Sequence, residues 1–497
     1  MQVVPDFETF RATYEAGTPQ LVWMVLPADL ETPVSVMMKL AEGRPNSFLL
    51  ESVEGGAVRG RYSFVGLNPD VVWRCHGKTA EINRQARFSP DAFTPEAAAP
   101  LDSLRALIAE SRIAIPEGLP PMAAGLVGYM GYDTVRLVEN IPDDNPDLLN
   151  VPDGLFVRPT LIAVFDTIAD TLTLVTPVRP EPGISATAAF DRARERLADA
   201  LANVGRSLPP PRTGEVAPTP PPASNMTREA FKAMVEKGKE YILAGDIFQV
   251  VLSQRFAIPF ELPPFSLYRA LRRTNPSPFM FFLDFGAFHV IGASPEILVR
   301  LRDGVVTIRP IAGTAPRGKD KAEDAALAEA LLADPKERAE HLMLLDLGRN
   351  DVGRVAEVGS VTVTEQMVLE YYSHVMHIVS NVDGRIREGC DAMDALMAGF
   401  PAGTVSGAPK VRAMEIIDEL EPVRRCVYAG CIGYISANGD MDTCIALRTA
   451  VVKDGAMYVQ AGGGIVADSD PDKEFQESCN KARALLRAAE IAPRYAR

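Results

Sequence analysis

Apolar and polar positions switch between two periods along the chain, and the switches mark out short elements. Residues 155–165 and 171–175 are apolar or β-branched runs of strand length, whereas 101–111 places its apolar residues three and four apart, as one face of a helix requires. Strand and helix mix here without regular β-α-β alternation, which predicts an α+β layered fold. Further on, Thr227 is a helix-capping residue ahead of a stripe of Phe231, Met234, Val235, Tyr241 and Ile242 that stops at Gly245. Strand-like runs follow at 248–256, 279–285, 305–311, 373–382, 431–436 and 444–452. Seven of the fourteen positions in 209–222 are proline, which lacks the N–H that helices and central strands need, so this stretch reads as a semi-rigid linker. The expected division is an N-terminal α+β region (1–207), a linker (208–223) and a larger C-terminal region (224–497).

At 497 residues the chain exceeds the ~250–300 at which a single core stops growing, which agrees with that division. A formal charge of −14 argues against nucleic acid or anionic membrane as the main partner, since both need a basic surface. No apolar run reaches ~18 residues and the first residues lack a signal-peptide pattern, so a cytoplasmic location is expected. The six cysteines are dispersed without a C-x-x-C pair and read as reduced, mostly buried thiols.

Candidate chemistry begins with two helix starts, Asp334-Pro335 and Asp470-Pro471, each with Asp as cap and Pro in the first turn. Glu337 and Glu340 are three apart, as are Glu474 and Glu477, so each pair shares a helix face and the two faces suit a hard divalent cation. The bland alternatives are a capping role for Glu337 and an exposed i, i+4 salt bridge between Glu477 and Lys481. Against them, Glu340 lies on a turn with Met343 and Leu344, and the Glu474, Glu477, Lys481 stripe runs into Ala484 and Leu485, so these charges follow apolar faces. Gly462, Gly463 and Gly464 follow a strand-like run and permit close backbone approach to an anion, although a plain turn or bulge fits equally. On a strand, His374 and His377 fall on opposite faces and so should not share a metal. Arg448, inside an apolar run, needs a carboxylate partner unless it sits at an exposed edge.

Several segments carry a resemblance: Arg309-Pro310-Ile311-Ala312-Gly313-Thr314, the run from Glu340-His341-Leu342-Met343 to Asn350-Asp351, Gly403-Thr404-Val405-Ser406-Gly407-Ala408-Pro409-Lys410, and the stretch 462–481. Together they resemble the chorismate-utilising enzymes, and among these the large-subunit (component I) branch of the anthranilate synthases, over about 225–488. Leu49-Leu50-Glu51-Ser52 and Arg61-Tyr62-Ser63-Phe64 resemble the same branch more weakly. The resemblance implies an α+β sandwich of antiparallel sheets flanked by helices, with an N-terminal regulatory region. It also implies Mg²⁺ held through Glu340 and Glu477 with Glu337 and Glu474 in support, and chorismate bound by Gly313, Thr314, Tyr434, Arg448 and Gly462 to Gly464. Glu296 would be the general acid and His377 an aid to pyruvate loss, Lys481 would orient carboxylates, and Thr404 and Ser406 are weaker binding candidates. Regulatory tryptophan would sit by Ser52, Pro278, Phe279 and Met280.

Within the family, relatives that add water carry a lysine where this chain has Gln249, and aminodeoxychorismate synthases typically carry a nucleophilic lysine where it has Ala312. Direct addition of ammonia is the expected reaction, with aminodeoxychorismate synthase component I as the alternative. No G-x-C-x-G elbow or His-x-Glu pair is present, so ammonia is expected from a separate glutamine amidotransferase subunit in a hetero-oligomer. Read without the resemblance, the acidic helices and glycines also suit a Mg²⁺-dependent enzyme for a phosphorylated metabolite, or a non-catalytic amino-acid sensor.

Overall fold

The computed structural model describes residues 2–41, 43–54, 58–208, 210, 220–372 and 375–496. Most of the proline-rich stretch, together with Ser373 and His374, lies outside the described residues. Every strand pairing among the described residues is antiparallel, as the lack of β-α-β alternation predicts.

The sheet is a branched ladder. Its trunk is Tyr62–His76 paired with Gly154–Asp166, two long strands buried along most of their length. One limb leaves the trunk through Ser47–Glu51 and continues through Phe279–Asp284, Phe288–Ser294, Thr449–Lys453, Ala456–Ile465 and Gln249–Pro259. The other leaves through Gly125–Met130 and continues through Cys431–Ser436, Met441–Ile445, Ile297–Arg302, Val305–Ile308 and Val375–Arg385. Strands from before the proline-rich stretch therefore pair directly with strands from after it.

Apolar side chains from both limbs, among them Phe48, Phe64, Tyr129, Phe281, Ile432 and Val451, make one core between them. A second core joins the first limb to helices Pro264–Thr274, Ala186–Val204 and Pro471–Ile491, and a third joins the other limb to Arg228–Ala244, Ala392–Gly399 and Lys410–Leu420. Helices thus cover the outer faces of the sandwich. The capping signals hold: Thr227 accepts from the Ala230 N–H, and Gly245 ends that helix at φ +85°. Cys75, Cys426, Cys431 and Cys444 are buried free thiols, in line with the expectation. No helix among the described residues is long and apolar enough to cross a membrane.

Candidate active site

Both acidic helices start where the Asp-Pro pairs predict. Asp334 accepts from the N–H groups of Lys336 and Glu337, and Asp470 from those of Asp472 and Lys473, at the heads of helices Pro335–Gly353 and Pro471–Ile491. Glu337, Glu340 and Glu474 are held above the ordinary carboxylate range, in each case first by burial. Repulsion adds to it: Glu340 feels Glu337 and Glu477, and Glu474 feels Glu477. The two helices therefore aim like charges into one space.

Glycines let the backbone into that space. A Cβ on Gly463 would come within 2.9 Å of Glu474 Oε2 and 3.6 Å of Glu477 Oε1, and one on Gly313 within 3.1 Å of Glu337 Oε2. Gly313 also adopts φ +75°, where a side chain is strained. The run Gly462, Gly463, Gly464 is neither turn nor loop; it lies inside strand Ala456–Ile465, facing Ser253, Leu252 and Val251. Close packing across the ladder excludes side chains there, since a Cβ on Gly462 would meet the Leu252 carbonyl at 2.3 Å.

Glu296 follows strand Phe288–Ser294 and is buried, with its carboxyl pushed up to about 8 by desolvation. Thr404 donates to its Oε1 at 3.1 Å and the Ile311 backbone also donates, but two donors do not offset burial, so the carboxyl holds its proton at neutral pH. Arg448 feels Glu296 and Tyr372, and burial lowers its proton affinity. It does not lie within a continuous strand: the ladder breaks between Met441–Ile445 and Thr449–Lys453, and Arg448 occupies the break at φ +48°. Its guanidinium makes no hydrogen bond among the described residues.

His377, on strand Val375–Arg385, places Nδ1 3.2 Å from the Gly313 carbonyl and 3.0 Å from Thr314 Oγ1, with its ring edge-on to Tyr372. Donation from Nδ1 to the carbonyl leaves Nε2 as the basic nitrogen, and burial holds the ring neutral. Lys481 pairs with Glu477 at 2.7 Å, with side chains 43% and 50% exposed, so the ion pair contributes little to stability. The same ammonium donates to the Gly462 carbonyl at 3.0 Å, which anchors it over the glycine strand.

Tyr434 is not brought to this cleft. It accepts from Arg302 at 3.1 Å and packs 6.4 Å from Phe64, beside the core that Leu50 and Phe279 also flank. The tyrosine set against the Gly462 backbone is Tyr428, which sequence reasoning passed over, as it did Tyr372. No spacing rule separates two tyrosines in one Gly-rich stretch. Thr404 reaches the cleft through Glu296, whereas Ser406 is buried and donates to the Ala402 carbonyl. The Gln249 amide lies across Gly464, where a Cβ would meet Nε2 at 2.1 Å, and its buried Oε1 has no hydrogen-bond partner among the described residues.

The regulatory candidates also meet. Ser47–Glu51 pairs with Phe279–Asp284, with Glu51 opposite Met280, which sets Ser52 beside Phe279 and Pro278. Glu51 is clamped by Arg272 at 2.6 and 2.7 Å and by the Tyr268 hydroxyl. A Cβ on Gly60 would come within 2.6 Å of Ser52 Cβ, so glycine makes room for that side chain.

Among the described residues no three His, Cys, Asp or Glu side chains form a ready-made metal cage. The four glutamates nonetheless fit Mg²⁺, which binds through one or two carboxylates and completes its shell with water and substrate. The glycine cradle leaves room beside them, and their mutual repulsion calls for a cation.

An antiparallel α+β sandwich whose cleft joins a protonated carboxyl, an unpaired arginine and two acidic helix faces is the framework of an enzyme for a small anion. A family profile described as chorismate binding enzyme matches residues 54–487, and the chain belongs to that family. Over 493 residues it is 62% identical to anthranilate synthase component 1 of Cereibacter sphaeroides, covering 99% of each chain. Over 475 residues it is 51% identical to the protein of that name from Pseudomonas aeruginosa, covering 94% of each. Among solved structures, anthranilate synthase component I from Streptococcus pneumoniae matches with a TM-score of 0.75 at 39% identity, over 86% of this chain and 92% of that one.

Proposed function

We propose that the chain converts chorismate and ammonia to anthranilate and pyruvate with Mg²⁺, as the first step of tryptophan biosynthesis in the cytoplasm. Ammonia comes from a separate glutamine amidotransferase subunit, and tryptophan inhibits by binding between Ser52 and the Pro278, Phe279, Met280 segment. The observation that carries the reading is a proton-bearing Glu296 beside an unpaired Arg448, beneath two glutamate-lined helix faces.

Mg²⁺, when bound by Glu340 and Glu477 with Glu337 and Glu474 behind them, supplies the counter-charge that lets the ring carboxylate sit among glutamates. Arg448 takes the enolpyruvyl carboxylate with its planar fork, next to the side-chain-free backbone of Gly462 to Gly464. Gly313 and Thr314 line the ring. Glu296 gives its proton to the departing C4 hydroxyl as ammonia adds at C2. The partnerless Gln249 Oε1 is an acceptor for an ammonia N–H; lacking a basic nitrogen, it does not deprotonate water. His377 Nε2 takes a proton as pyruvate leaves and the ring becomes aromatic. Lys481, tied to Glu477 and Gly462, keeps the carboxylates in register.

The purified chain should form fluorescent anthranilate from chorismate, Mg²⁺ and ammonium, and none from glutamine. Turnover with glutamine alone would overturn the separate-subunit reading. Ala312, whose methyl cannot attack the substrate, disfavours aminodeoxychorismate synthase component I, and the product decides between the two. Gln249→Lys should divert part of the chorismate to a hydroxylated product while anthranilate formation falls. Faster anthranilate formation with no new product would contradict the role given to Gln249.

A further inference from the structure

A second charged site lies in the N-terminal region, away from the cleft. A cavity of about 220 Å³ opens between the loop after strand Thr79–Asn83, the end of strand Thr171–Val178 and helix Ala186–Val204. Arg84, Arg87, Arg179, Arg192 and Arg196 line it, against two acids, Asp70 and Glu181.

The acids are largely committed. Asp70 is held by both arms of Arg158 at 2.9 Å, and Glu181 lies 3.9 Å from Arg192. Arg84 is paired with Glu110 at 2.8 Å, and Glu110 also binds Arg158. Arg87, Arg179 and Arg196 have no carboxylate within ion-pair distance among the described residues. Arg179 donates one bond to the Ser111 carbonyl at 3.2 Å, and its buried Nε has no hydrogen-bond partner among the described residues. Arg196 donates to the Thr176 hydroxyl. Burial and the neighbouring Arg158 lower the proton affinity of Arg179 to about 10, while burial and Arg87 lower that of Arg196; Asp70, Glu110 and Glu181 only partly counter this. Two part-buried guanidiniums, Arg179 and Arg196, that line one cavity beside exposed Arg87 without an ion-paired carboxylate of their own among the described residues are unfavourable by themselves, and more conspicuous in a chain of net charge −14.

We propose that this cavity binds a phosphate-bearing small molecule through Arg87, Arg179 and Arg196. Planar guanidinium forks bind phosphate or carboxylate oxygens in pairs, and a tetrahedral phosphate offers more oxygens than a carboxylate to arginines carried on a loop, a strand end and a helix. The volume exceeds that of one phosphate, and Tyr14, Phe88 and Ile184 supply apolar wall for an organic remainder. The shared chemistry is the phosphate group, borne by an inorganic anion or by a phosphorylated metabolite.

The test is thermal unfolding of the full chain in inorganic phosphate, pyrophosphate or ribose 5-phosphate, against sodium chloride at matched ionic strength. The expected result is a saturable rise in the unfolding midpoint with at least one phosphate compound and no such rise with chloride. A larger rise with ribose 5-phosphate assigns the site to a metabolite, and a larger one with pyrophosphate or phosphate to an inorganic anion. Arg179→Met and Arg196→Met should lose the rise yet melt, without anion, no lower than the parent, because each removes an unpaired charge. Exposed Arg87→Met should weaken the response with folding intact, which keeps the test decisive if the half-buried variants misfold. Equal shifts in phosphate and chloride, or an unaltered response in Arg87→Met, would overturn the proposal. Unfolding requires no turnover, so this outcome is independent of the proposed reaction.

Discussion

Two buried polar systems touch strand Gln249–Pro259, one through Val251 and Ser253 and the other through Gln249, and they are built in opposite ways. Arg425 and Glu421, 1% and 2% exposed, form a two-pronged ion pair at 2.6 and 2.9 Å. Arg425 also donates to the Val405 and Val251 carbonyls, while Glu421 accepts from the Ser253 N–H and hydroxyl. Nothing in that system is left to bind. In the cleft, Glu296 keeps a proton, and among the described residues Arg448 has no hydrogen-bond partner and Gln249 Oε1 is orphaned. A buried charge that is fully satisfied is part of the scaffold; one left unsatisfied at a cost to stability is reserved for a ligand.

Glu296→Gln breaks the comparison most sharply. Anthranilate formation should fall ~100- to 10,000-fold with the loss of the acid, whereas the protein should become more stable. Its folded-state carboxyl titrates near 8, above the ordinary unfolded value, so the parent loses stability as pH climbs towards about 8. The gain in the melting midpoint should therefore be larger at pH 8.5 than at pH 5, and the parent's turnover should decline above about pH 8. A variant less stable than the parent at high pH would show that Glu296 is ionised and structural. Glu421→Gln is the mirror case. It strands Arg425 and should cost about 3–5 kcal/mol, read as a lowered melting midpoint, while protein that stays folded retains activity far better than Glu296→Gln.

The smallest effect is at the proposed regulatory edge. Ser52→Phe would fill the space beside Phe279 and should abolish tryptophan inhibition with catalysis largely kept. A ~10-fold preference of tryptophan for the inactive arrangement corresponds to ~1.4 kcal/mol of coupling. Titrating the variant with tryptophan checks this, and an unchanged inhibition curve would remove the assignment.

The contrast between the two charge systems also explains what was legible in the sequence. The acidic helices were, because Asp-Pro encodes cap and first turn locally and a three-residue spacing encodes a shared face. The α+β layering followed from the order of short runs, and the antiparallel sheets from the resemblance. Arg448 was visible as a charge needing a partner, but the break that holds it was not, because Ala446 and Leu447 continue the apolar pattern through the turn. The glycine run fitted an anion cradle and a plain turn or bulge equally, because its reason for glycine, the Leu252 carbonyl and the Glu474 carboxylate, lies on other elements. Tyr434 and Tyr428 were indistinguishable for the same reason: which faces the cleft depends on how the two limbs are joined. The arginine cavity draws on a loop, a strand end and a helix far apart in sequence, and no local pattern announces it.

The central claim is that the clustered carboxylates of the two helices, Glu340 foremost, exist to hold Mg²⁺ for turnover of chorismate. The most direct measurement is anthranilate formation from chorismate and ammonium during titration of a chelated, metal-free preparation with Mg²⁺, for the parent and for Glu340→Gln. Activity should be absent without the cation and return on its addition, with the variant needing about tenfold more Mg²⁺ while melting no lower than the parent. Full turnover in excess chelator, or identical Mg²⁺ curves for the two proteins, would contradict the account.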